Sequence, residues 1–173
     1  MNERIMQTCC FFGHRKIKET SELKEKLTRV IASLIEDMHV TTFLFGSKSE
    51  FDNLCHDIVT TLKEKYPQII RFYVRAAYAD IGEPYARYLL EGYEETYFPE
   101  KVRGAGKAVY IERNRDMIDN AMFCVVFYDE NYEPPKRKNS KKDITCYQPK
   151  SGTKIAYEYA IKKGKKIINL AKK

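Results

Sequence analysis

The chain has 173 residues, 43% of them hydrophobic and 32% charged, enough for one domain with a real core at the usual scale of roughly 100–200 residues per domain. No apolar run approaches the roughly 18 residues a membrane span needs, and the polar start Met1–Arg4 is not followed by a signal-peptide core, so a cytoplasmic protein with no membrane partner is expected. The net charge of +7, from 31 basic and 24 acidic side chains, suits an anionic ligand; nucleic acid is the weaker expectation, because the fold motifs of nucleic-acid binders are absent.

The first predicted element is a buried strand over Ile5–Phe12, apolar and β-prone, ending at Gly13. Ser21 can cap a helix whose Leu23, Leu27, Val30, Ile31, Leu34, Ile35 and Met38 recur at helical spacing. Val40–Phe45 reads as a second strand ended by Gly46. Ser47 or Ser49 can cap the next helix, which buries Phe51, Leu54, Cys55, Ile58, Val59 and Leu62 and stops at Pro67. Ile69–Val74 is a third strand, Pro84–Gly92 a short helix, and the segment 93–106 a loop rich in tyrosine, charge and glycine. A helix over Glu112–Asn120 leads into Phe123–Tyr128, a continuous apolar run typical of a central strand. Asp129–Lys150 reads as a long lysine-rich loop, Gly152–Lys163 as a helix ended by Gly164, and Lys166–Leu170 as the last strand. This alternation predicts an α/β fold: a single three-layer domain over residues 1–173, with a mainly parallel sheet of about five strands and right-handed crossovers.

In open parallel sheets ligands bind beyond the carboxyl ends of the strands, where the strand order reverses. The loops Gly13–Lys16, Gly46–Ser49, Asp129–Tyr132 and Ser151–Thr153 are expected to converge there. Gly13 allows close backbone approach, His14 offers a donor, and the planar fork of Arg15 suits a phosphate or carboxylate. Ser151–Gly152–Thr153 precedes a helix and so offers an anion site at a helix N-terminus, although Ser151 or Thr153 also reads as an ordinary cap. Gly46–Ser47–Lys48–Ser49 is a similar strand-to-helix turn, and Asp52, one turn on, could reach a ribose hydroxyl or serve simply as a first-turn acid. Arg113 and Asn114 are polar groups near the start of a helix by the pocket, with Arg115 and Asp116 read as a salt-bridged pair. Gly104–Ala105–Gly106–Lys107 fails as a phosphate loop, since the leading glycine spacing is missing and Ala108 stands where a Ser or Thr must hold Mg²⁺.

The cysteines Cys9, Cys10, Cys55, Cys124 and Cys146 are odd in number and form no C-x-x-C, so plain thiols are expected rather than zinc ligands or disulfides. No metal site or resident cofactor is expected, and His39 and His56 read as structural. The 13 tyrosines and 9 phenylalanines would suit a homo-oligomeric contact.

Taken together, these motifs resemble a known family. Phe11–Phe12–Gly13–His14–Arg15 resembles the "TGHR" or "TGYR" opening of the YpsA-like (DUF1273) proteins. Glu112–Arg113–Asn114–Arg115–Asp116–Met117–Ile118–Asp119 resembles their "RN-x-x-M-[IV]-D" helix, and Ser151–Gly152–Thr153 with Glu158–Tyr159–Ala160 resembles their "GGT-x-x-A-x-x-YA" segment. The match runs from about Cys9 to Leu170. The resemblance implies membership of the SLOG superfamily, with DprA and the Lonely-guy enzymes: a Rossmann-like fold binding nucleotides or their derivatives. Two departures stand out. The family's glycine-rich "GGALGVD" loop is here the bulkier Phe45–Gly46–Ser47–Lys48–Ser49–Glu50–Phe51–Asp52. The glutamate of the Lonely-guy "PGGxGTxxE" motif is replaced by Ala156, with Glu158 two residues further on.

Three functions are therefore weighed. The first is a module that binds a phosphorylated nucleotide or ADP-ribose-like molecule as a sensor or regulator. The second is an N-glycosidic hydrolase or transferase, for which Asp52, Glu112 and Glu158 are the candidate catalytic carboxylates. The third is DprA-like nucleic-acid binding through the basic stretch Lys136–Lys142.

Overall fold

Along β1 (Thr8–Gly13) successive side chains point to opposite faces, and the chain builds two cores from that alternation: Cys9 and Phe11 enter one, Cys10 and Phe12 the other. β2 (Thr42–Phe45) and β5 (Phe123–Phe127) follow the same rule, with Phe43, Phe45, Phe123 and Val125 on the first face and Leu44, Cys124 and Val126 on the second. β3 (Ile70–Val74), β4 (Glu95–Tyr97) and β6 (Lys166–Asn169) complete the sheet. The computed structural model describes residues 3–133 and 151–171. Its strands run in the order β4-β3-β2-β1-β5-β6, and every pairing is parallel.

The first core is closed by α2 (Ser21–Glu36) and α3 (Glu50–Lys65), through Leu23, Leu27, Ile31, Phe51, Leu54 and Val59. The second is closed by α5 (Val109–Asp119) and α6 (Gly152–Lys162), through Met117, Ile118, Ala156 and Ala160. The chain moves outward from β1 in one direction as far as β4, then returns to β5 on the other side of β1. Right-handed crossovers running in opposite directions put their helices on opposite faces, which yields the three-layer, Rossmann-like α/β architecture. A short α1 (Glu3–Met6) precedes β1, and α4 (Glu83–Leu90) links β3 to β4.

The sheet has six strands rather than about five. The additional one is β4, inside the segment 93–106 expected as loop, which also carries 3-10 turns at Glu100–Val102 and Gly106–Ala108. Glu95, Thr96 and Tyr97 carry no apolar alternation because they form an edge strand, paired only with β3. Strand β1 starts at Thr8, since Ile5 belongs to α1. Met38 lies beyond the end of α2 and is exposed. The expected loop Asp129–Lys150 is described only as far as Glu133; its basic run Lys136–Lys142 and Cys146 lie outside the described residues. Among the described residues, no helix is long and apolar enough to cross a membrane.

Candidate functional site

The order of the strands reverses between β1 and β5, so the crevice beyond their carboxyl ends is where this fold offers a ligand site. The chain leaving β1 and the start of α3 are fastened together there. Glu50 N–H donates to the Arg15 carbonyl at 3.0 Å, and the Glu50 carboxylate takes Ile17 N–H at 2.9 Å and Lys16 Nζ at 2.7 Å. These bonds fix the backbone of Arg15 while its side chain stays exposed. Gly13 is explained by packing: a Cβ there would lie 2.5 Å from the ring of Phe51, so the first turn of α3 fills the space a side chain would need.

His14 is turned inward, 2% exposed. Its ring stacks on Tyr132 with centroids 3.8 Å apart. Nε2 lies 2.9 Å from the Asp129 amide nitrogen and 3.1 Å from the Asp129 carbonyl oxygen, so it bonds the backbone of that residue in either tautomer; Nδ1 is buried with no partner among the described residues. Burial holds the imidazole below its ordinary pKa, keeping it neutral. His14 thus ties the end of β1 to the β5 turn rather than offering a donor to solvent. Asp129 is exposed at that turn, and its carboxylate accepts Asn131 N–H at 2.9 Å.

Gly46 ends β2 where Arg113 passes: a Cβ would sit 2.7 Å from Arg113 Cδ and 2.9 Å from Met117 Sδ. Arg113 is 5% exposed. Its Nη1 donates to the Gly46 carbonyl, while Nε and Nη2 donate to Asn114 Oδ1 at 3.2 and 3.1 Å. Asp52 is also buried, 2% exposed. Its Oδ2 accepts Ser47 N–H at 2.9 Å, and its Oδ1 has no partner among the described residues. Burial raises the Asp52 carboxyl to about 6, against the pull of Ser47 N–H and the Arg113 charge. Asp52 therefore braces the turn Gly46–Ser49 from beneath, and its burial keeps it from a ribose hydroxyl in this conformation. Ser49 caps α3 by accepting Asp52 N–H, and Ser47 Oγ donates to Ser49 Oγ at 3.0 Å.

Ser151 caps α6 by accepting Lys154 N–H at 3.1 Å. The exposed Gly152 and half-buried Thr153 form the first turn of that helix. Ala156 is buried in the second core, and Glu158 is exposed. Arg115 does not pair with Asp116: adjacent residues on a helix point apart. It bridges Glu112 at 2.7 Å instead, while Asp116 accepts the Tyr97 hydroxyl at 2.8 Å. Among the described residues, no group of three or more His, Cys, Asp or Glu is placed to hold a metal ion.

One arginine was not anticipated from sequence. Arg75 directly follows the last residue of β3, and so stands near the carboxyl end of its strand as Arg15 does near that of β1. It is 9% exposed and spends Nη1 on the carbonyls of Tyr78 and Ala79, the latter at 3.0 Å. Beside it a cavity of about 490 Å³ opens among Lys48, Tyr78, Asp80, Ile81, Gly82 and Tyr85, at the carboxyl-end side of β2 and β3. A second cavity of about 510 Å³ lies between α2 and the first residues of β5 and β6, at the opposite edge of the sheet from the candidate site.

No family model matches the chain, and no curated protein matches it.

Proposed function

We propose that this protein binds a phosphorylated nucleotide or an ADP-ribose-like molecule beyond the carboxyl ends of β1, β2 and β5, and acts as a sensor or regulatory module of the SLOG type. The observation that carries the reading is that Arg15, on a backbone locked by Glu50, shares one sheet edge with the starts of α3 and α6. Helix N-termini carry a partial positive charge, and an arginine fork adds two donors for an anion. The motif resemblance supports the same reading.

Binding without turnover is favoured by the state of the carboxylates. Asp52 is buried and committed to Ser47, Glu112 is bridged to Arg115, and Glu158 lies on the exposed side of α6. Isothermal titration against nucleoside monophosphates, NAD and ADP-ribose tests the proposal. Binding of at least one is expected, and Arg15→Ala is expected to weaken it roughly ten- to hundred-fold, the loss of a charge-assisted hydrogen bond of about 1.5–3 kcal/mol. No binding by any member overturns the reading, and release of free base from any of them overturns the absence of turnover.

A further inference from the structure

The anion-suited groups leave the tyrosine-walled cavity beyond β2 and β3 unused. Its walls are two aromatic rings, Tyr78 and Tyr85, meeting edge to face at 6.0 Å, with Tyr88 roughly parallel to Tyr85 behind. Lys48 stands at one side and Asp80 at another. Tyr78 is 70% exposed and has φ +60°, a left-handed conformation that glycine adopts freely and a tyrosine does not. Arg75 holds it there by bonding the carbonyls of Tyr78 and Ala79. The fold thus maintains an exposed ring in a strained conformation, and strain of this kind points to a use for the ring.

The cavity adjoins the candidate site. Lys48 and Ser47 belong to one turn, and that turn is joined to Arg15 through Glu50.

We propose that this cavity is the base subsite of the ligand, taking a planar, amine-bearing nucleobase against Tyr78 and Tyr85, with Asp80 accepting from its amine and Lys48 facing the phosphate. The proposal rests on the nucleotide reading above and adds to it where the base goes and why a base is needed. Aromatic rings stack on any base face, a carboxylate accepts from an exocyclic amine, and the volume falls in the range of small-molecule sites, roughly 300–1,000 Å³.

The test compares AMP, ADP-ribose and NAD, which all carry adenine, with ribose 5-phosphate, which carries none. Titrations are run on the wild type and on Tyr78→Gly, Tyr85→Ala and Tyr85→Phe. The chain has no tryptophan, so tyrosine emission gives an independent signal. The wild type is expected to bind the adenine compounds at least ten-fold more tightly than ribose 5-phosphate. Tyr78→Gly and Tyr85→Ala are each expected to lose most of that excess with ribose 5-phosphate binding unchanged, and Tyr85→Phe to keep it. Tyr78→Gly also relieves the backbone, so its thermal midpoint should equal or exceed that of the wild type, separating loss of the ring from loss of the fold. Adenine compounds binding both truncated variants as tightly as wild type, or no more tightly than ribose 5-phosphate, would overturn the base subsite and leave the nucleotide reading standing. Binding of none of the four compounds removes both.

Discussion

Two glycines at the strand ends, Gly13 and Gly46, look from sequence like places for a ligand to approach. The structure gives each a nearer occupant, Phe51 against Gly13 and Arg113 against Gly46. Gly46→Ala is therefore expected to cost about 1–3 kcal/mol in the absence of any ligand, the range for overpacking a filled space, and denaturant unfolding measures it. Asp52 beneath the same turn gives a pH signature. Its folded value of about 6 lies above its ordinary 3.8, so the native state holds the proton more tightly than the unfolded chain. The stability this confers is fully present below about pH 4 and is lost as pH rises through about 6, an effect on the order of 3 kcal/mol. His14, whose value burial lowers, acts in the opposite sense: its contribution is present above about 6.5 and is lost as pH falls through its folded value. Subtracting the unfolding free energy of Asp52→Asn from that of the wild type at each pH isolates the aspartate. The difference should decline from pH 4 to pH 7, and a flat difference rejects the assignment.

At the scale of elements, the helices α2 and α3 were legible from their apolar period of 3.6 residues, and the strands β1, β2 and β5 from short, continuous apolar runs. The edge strand β4 was not, because Glu95–Tyr97 pairs on one side only and needs no apolar alternation. The approach of α5 to β2 was equally hidden: sequence places Arg113 near the pocket, yet only tertiary packing tells that its guanidinium is consumed by the Gly46 carbonyl and Asn114. Arg75 went unnoticed for the converse reason, since its significance comes from the two carbonyls it gathers. The pairing of β1 with β5 sets Cys10 directly beside Cys124, with Sγ atoms 3.5 Å apart and both fully buried. Its hydrogen bond with Cys124, together with burial, raises the Cys10 thiol well above its ordinary pKa, and burial does the same to Cys9 and Cys55. Thiolate is the reactive form, so these cysteines should resist iodoacetamide in the native protein and react only as fast as the whole sheet opens. Mass spectrometry after timed labelling shows it; prompt native-state labelling of Cys10 or Cys124 would refute it.

Across the whole molecule, the sheet order explains why residues from distant parts of the sequence share one edge. The turn after β1, the start of α3 and the start of α6 are brought together by the reversal between β1 and β5. That much followed from alternation and from the rule on parallel sheets. The roles of individual side chains did not, because burial of His14, Asp52 and Arg113 depends on how helices close over the strand ends.

The filled spaces above Gly13 and Gly46 have a mechanical consequence. Interiors packed to crystal-like density transmit force rather than absorb it. The base of the crevice is pressed from behind by Phe51, Arg113 and Met117, so it cannot sink when something settles on it. The turn pinned by Arg75 and the turn stacked on His14 stand on either side of that base. A guest would thus meet a hard seat, shaped before it arrives.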